Sequence, residues 1–180
     1  MATTSRARAR VLDTASRLFY AEGVHAVGID RIVAEAGVAK ATFYNHFPAK
    51  DELVRAYVEE QSQLQRAKAD ELPEAPPRER LLAVFDSVGE LGRDPEYRGC
   101  PFVNAAAEYP DPEHPVRRAI ADHRRWFREL LLGLLRDEGH PDPERTADLL
   151  VALKDGILVA ADLDEPAETR VVRDAVTRLL

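Results

Sequence analysis

The sequence predicts an all-α protein of about nine helices. Apolar residues recur at three- and four-residue spacing through nearly every segment. No stretch shows the sustained apolar–polar alternation of a half-buried strand. Clusters of Gly and Pro interrupt the chain wherever one helical stripe gives way to the next. Hydrophobic residues make up 45% of the 180 positions, enough for a real core. No internal repeat is visible.

The first helix covers 5–21, with Ala7, Val11, Leu12, Ala15, Leu18 and Phe19 on one stripe, and Gly23 ends it. Beyond Gly28, the set Ile29, Ile32, Val33 and Ala36 marks a second, short helix that Gly37 breaks. A third runs from Lys40 to Phe47, with Ala41 or Phe43 turned inward beside Phe47, and Pro48 follows. Asp51 and Glu52 are suitable acids for the start of a fourth, whose stripe is Leu53, Val54, Tyr57, Val58 and Leu64. The prolines of LPEAPPRER (72–80) exclude a helix interior and mark a junction. Further helices are expected over 78–91, from CPFVNAAAEY (100–109), and over 116–138, 144–163 and 167–180. We divide the chain into 1–50 and 51–180.

The net charge of −7 is unevenly spread. Residues 1–50 hold seven Lys/Arg against four Asp/Glu, and the remainder holds 18 against 28. A basic N-terminal end on an acidic protein suits a polyanionic partner. No apolar run reaches the ~18 residues of a membrane span, and no apolar stretch follows the basic start, so neither a membrane nor a secretory signal is expected. The single cysteine, Cys100, forms no internal disulfide, which fits a cytoplasmic protein. His25, His46, His114, His123 and His140 are scattered without metal-ligand spacing. No phosphate loop or catalytic constellation is present. We expect no enzyme, no cofactor and no metal.

Residues 38–47, VAKATFYNHF, form too short a helix to stand alone in water. Two short helices joined by a Gly turn of about three residues, after a longer helix, make a helix-turn-helix. In that motif the second helix enters the major groove of DNA. Lys40 suits guanine edges or phosphate, Thr42 has a hydroxyl and a methyl for thymine, and Asn45 suits adenine or backbone. Ala41 shares their N-terminal turn. Tyr44, His46 and Lys50 are donors for phosphate oxygens. Phe43 and Phe47 are read as packing residues.

Residues 10–58, above all IDRIVAEAGVAKATFYNHFPAKDELV, resemble the N-terminal domain of the TetR (tetracycline-repressor-like) family of transcription regulators. The resemblance implies a three-helix DNA-binding domain before a larger helical ligand-binding and dimerisation domain. It implies a homodimer on a near-palindromic double-stranded operator, and repression relieved by a small molecule. Lys40, Thr42, Tyr44, His46 and Lys50 align with positions that commonly contact DNA. Gly28 stands where many relatives have a Thr that caps the second helix and touches phosphate. Ala39 stands where many have Ser. Both caps are absent here, although Asp30 is near the first site. Arg6, Arg8 and Arg10 are read as a flexible basic tail rather than an arm in an adjacent groove.

With that resemblance, Leu149, Leu153, Ile157, Val172, Val176 and Leu180 become candidates for a four-helix dimer seam; the alternative is ordinary core. Phe85, Phe102, Tyr109 and Trp126, with Asn104 and His123 as polar partners, are candidates for an effector pocket. Cys100 has Arg98 nearby and Pro101 at a first helical position. A thiolate sensor and a small buried hydrophobe are both open readings of it. The rival to a DNA-binding regulator is a helical small-molecule-binding or scaffold protein without operator binding.

Overall fold

The computed structural model describes residues 5–163 and 167–180, and among these the chain forms nine α-helices and no strand. They are α1 (Arg6–Glu22), α2 (Ile29–Ala36), α3 (Lys40–His46), α4 (Lys50–Asp70), α5 (Pro77–Leu91), α6 (Pro101–Glu108), α7 (Pro115–Glu138), α8 (Pro143–Leu163) and α9 (Thr169–Leu179). The prolines set four of the starts: α5, α6, α7 and α8 each begin on one. Proline is favoured there because its missing N–H has no intrahelical acceptor in the first turn.

The chain divides into two compact units. One comprises residues up to Gln63 with Pro101–Ala121, and the other Leu64–Cys100 with Asp122–Leu180. In the first, α1, α2 and α3 pack on one another pairwise. Val11, Ala15 and Leu18 of α1, Val27, Ile32, Phe43 and Leu53 are fully buried there. α4 buries Leu53, Val54, Ala56, Tyr57 and Val58, all in its first half. Leu64, expected on the same stripe, is exposed instead.

In the second unit α5 packs against α8 and α9, which also pack on each other. The core is Leu81, Leu82, Val84 and Phe85 of α5 with Leu131, Leu132, Leu134 and Leu135 of α7. Ala147, Leu150 and Ile157 of α8 and Val172 and Val176 of α9 complete it. None of the helices among the described residues is long and apolar enough to cross a membrane.

Candidate nucleic-acid interface

Gly37 makes the turn between α2 and α3. It adopts the left-handed conformation (φ 60, ψ 42), and its N–H and that of Val38 return to the last carbonyls of α2. This closes α2 without a side chain. Three residues, 37–39, then lead to Lys40. Arg10 of α1 clamps the turn by donating through Nη2 to the carbonyls of Ala36 and of Gly37, the latter at 3.1 Å. Arg10 is therefore not part of a flexible tail. Arg6 already begins α1, Ser5 caps it by accepting from the Arg8 N–H, and the Arg8 guanidinium lies 4.9 Å over the Phe47 ring. The basic run continues as a helix because the cap and the Phe47 ring give it local partners.

α3 is seven residues long and is held from behind. Phe43 and Phe47 are buried, with their rings 6.0 Å apart. The outward side carries Lys40, Ala41, Tyr44 and Asn45, all exposed, with Thr42 and His46 half-buried. Tyr44 stands edge-on to Phe43 at 5.2 Å, so its ring is braced while its hydroxyl end faces solvent. Tertiary contact thus supplies the stability that so short a helix lacks.

Two of these side chains already have protein partners. Lys40 Nζ is 2.6 Å from Asp30 Oδ1, and that hydrogen bond holds the ammonium above its usual pKa. His46 Nε2 is 2.9 Å from Ser5 Oγ, which ties α3 to the start of α1. Lys50 begins α4 half-buried, and burial pushes its ammonium below its usual pKa. At the two capping positions, Gly28 and Ala39 precede α2 and α3 with no side-chain cap.

Ion pairs fix α2 against α1. Arg31 reaches Glu22 at 2.5 Å and Glu35 at 2.9 Å, and Arg17 reaches Glu35 at 2.6 Å. The guanidinium groups hold Glu22 and Glu35 below the usual carboxylate range. The partners Asp30, Arg10, Ser5 and Glu22 lie nine or more positions from the residues they hold, beyond the reach of periodicity arguments.

The remaining candidates fall in different places. Phe85 belongs to the hydrophobic core of the C-terminal unit. Cys100 and His123 are buried in that unit and Trp126 is half-buried. Phe102, Asn104 and Tyr109 belong to the other unit: Phe102 is buried, Asn104 is exposed, and Tyr109 donates its hydroxyl to Asp51 at 3.0 Å. Among the seam candidates, Ile157, Val172 and Val176 lie in the protomer's own core, and Leu153 and Leu180 are packed partly against it. Only Leu149 of that set is exposed. For Ile157, Val172 and Val176 the structure thus shows the core position that the sequence left open beside the seam. The exposed apolar residues of α8 and α9 are Leu149, Val159, Leu163 and Val171. Among the described residues no group of three or more His, Cys, Asp or Glu side chains is placed to hold a metal ion.

This arrangement matches known proteins along nearly its whole length. Residues 11–57 fit the model of bacterial regulatory proteins of the tetR family, and residues 77–176 fit the tetracyclin repressor-like C-terminal domain. The chain belongs to the TetR family. It is a helix-turn-helix transcriptional regulator, of a family whose members are typically ligand-responsive repressors. A solved TetR-family regulator from Streptomyces coelicolor is 43% identical, with a TM-score of 0.85 over 96% of this chain and 91% of that one. Another, from Streptomyces avermitilis, is 30% identical with a TM-score of 0.87, covering 98% and 97%. The HTH-type transcriptional regulator TtgR of Pseudomonas putida is 30% identical over 84% of this chain and 78% of its own length.

Proposed function

We propose that this TetR-family chain is a cytoplasmic, homodimeric repressor. It binds a near-palindromic operator in double-stranded DNA and releases it when a small molecule occupies the C-terminal helices. Residues 1–50 carry operator recognition, and 51–180 carry effector binding and dimerisation. The observation that supports it best is the two-sided α3: Phe43 and Phe47 buried, Lys40, Tyr44 and Asn45 facing solvent. Lys40, Ala41, Thr42, Tyr44 and Asn45 read the groove, and His46, Lys50 and the backbone at Gly28 set the register on phosphates. The protein catalyses no reaction and needs no cofactor.

The dimer face is the exposed apolar surface of α8 and α9, with Leu149, Val159, Leu163 and Val171. Two α3 helices in a dimer must meet half-sites about one helical turn apart, roughly 34 Å. A ligand that prefers a protomer spacing unlike this one therefore releases DNA by differential affinity for two states.

The test is binding to an operator selected from a random double-stranded library, followed by fluorescence anisotropy across a salt series. Affinity is expected to fall steeply and linearly on logarithmic axes as phosphates exchange their counterions for Lys and Arg. The double variant Lys40→Ala, Tyr44→Ala should lose at least roughly a hundredfold in affinity with an unchanged helical spectrum, about 1.4 kcal/mol for each factor of ten. Unchanged affinity in that variant overturns the recognition set. Failure to enrich any sequence favours the scaffold reading.

A further inference from the structure

The C-terminal unit carries charge where its helices would ordinarily carry core. Lys154 lies mid-way along α8 and is only 8% exposed. Its Nζ is 2.6 Å from Asp155 Oδ1 and 5.4 Å from the centroid of the Phe127 ring. The other oxygen of that carboxylate receives Arg124 Nη2 of α7 at 2.7 Å. Two cations thus share one anion. Beside them on α7 is His123, 6% exposed, whose ring is 5.5 Å from that of Trp126. Trp126 is in turn 6.2 Å from Phe127, and both are half-buried.

Burying an ion costs several kcal/mol, and attraction to a partner repays this only with good geometry and full pairing. One carboxylate divided between Lys154 and Arg124 leaves a positive charge over. A purely structural role at position 154 would be met at less cost by an apolar side chain, as at the neighbouring buried positions Leu150, Ile157 and Leu158. The excess charge has a second consequence. Burial, followed by the fields of Lys154, Arg66 and Arg124, pushes His123 down to a pKa of about 3, so it stays a neutral hydrogen-bonding group. The cluster therefore combines a buried ammonium, a half-exposed guanidinium, a neutral imidazole and two half-buried rings, with the Arg66 guanidinium 4.6 Å over the Trp126 ring.

We propose that this cluster is the effector site and that its ligand is a small aromatic carboxylate. The carboxylate adds a second negative charge beside Asp155 for Lys154 and Arg124 to pair with, and the ring packs beside Trp126 and Phe127. This rests on the ligand-responsive reading above, but its test uses no DNA, so either can fail without the other.

Trp126 is the chain's one tryptophan, so its emission reports on this site without a label. The full-length protein is titrated with benzoate, phenylacetate and hydrocinnamate, each paired with its amide, and with acetate. At least one aromatic acid should change the emission saturably, with its amide and acetate weaker by roughly tenfold or more. Lys154→Met keeps the apolar stem and removes the charge. It should raise the apparent Kd by roughly tenfold or more at an unchanged helical spectrum. Arg124→Gln, at a half-exposed position, should raise it severalfold and provides the same test if Lys154→Met does not fold. The proposal is overturned if no acid gives a saturable change, if amides or acetate bind as well as the acids, or if the folded variants bind like the parent.

Discussion

Glu108 grips His25 at two points: its carboxylate accepts the His25 main-chain N–H at 2.5 Å and stands 2.9 Å from Nδ1 of the ring. The same carboxylate accepts the Val24 N–H at 2.7 Å. The turn after α1, where Gly23 takes φ 91, is therefore capped by the last residue of α6. The adjacent Tyr109 stacks on His25 at 5.4 Å and donates to Asp51 of α4. Hydrogen bonds and a ring stack thus join the end of α6 to the loop between α1 and α2.

Glu108→Gln keeps the shape but removes the charge from two main-chain bonds and a histidine contact. Bonds to a charged acceptor are worth about 1.5–3 kcal/mol, so a loss of about 1–2 kcal/mol in urea unfolding is expected. Glu108→Ala, which leaves the turn N–H groups without their acceptor, should cost more. Parent-like stability in both would show that solvent caps the turn equally well.

Arg10 and Gly37 form a second such pair, and they should behave non-additively. Gly37→Ala introduces left-handed strain of about 1 kcal/mol and places a Cβ 2.6 Å from Arg10 Nη2. Arg10→Ala removes hydrogen bonds to the Ala36 and Gly37 carbonyls, a loss of about 1–2 kcal/mol. It also removes the clash. The double variant is therefore expected to be more stable than the sum of the two losses predicts, by about 0.5 kcal/mol or more in a double-mutant cycle. Simple additivity would mean that Arg10 swings aside freely.

The parts legible in the sequence were those governed by local chemistry. Helical period, Gly37 at the turn and prolines at helix starts gave the helix order, and the aromatic–polar split of VAKATFYNHF gave the two faces of α3. What escaped was of two kinds. Glu108, Arg10 and Ser5 act on residues 27 to 84 positions away at the longest reach of each, and nothing local marks them. Val172 and Val176 stayed open between seam and core because a helix such as α9, apolar on one face, does not declare whether that face meets its own core or a second copy. Only the neighbours α5 and α8 decide that.

The empty caps of the two short helices invite restoration. Gly28 has φ −81 and open space around an added Cβ, so Gly28→Thr meets no obstacle. Ala39 precedes α3 in extended conformation with no capping bond. Ser in place of Ala at such a position is worth about 0.5–2 kcal/mol, and Thr in place of Gly only a few tenths. In thermal unfolding, Ala39→Ser should therefore raise Tm by a few degrees and Gly28→Thr by little. In the proposed operator complex both new hydroxyls sit at the starts of helices that meet DNA, so operator affinity should rise in both. A Tm rise without an affinity gain would confine the caps to a structural role.

His123 should contribute to the acid sensitivity of the C-terminal unit. Its pKa is about 3 in the fold against an ordinary 6.5, so between these values the unfolded chain binds a proton that the native protein refuses. The sign follows from linkage: this contribution is fully present above about pH 6.5 and is lost as pH falls toward 3. The slope approaches about 1.4 kcal/mol per pH unit within that window. Asp155, held below the usual carboxylate range by Arg124 and Lys154 against its burial, loses stability in the same direction but at lower pH. His123→Gln removes the imidazole titration alone. Urea unfolding at a series of pH values should show the parent losing stability more steeply than the variant between pH 6.5 and 4.5, with parallel profiles above 7. Parallel profiles throughout would mean that the buried imidazole reaches water before the helices separate.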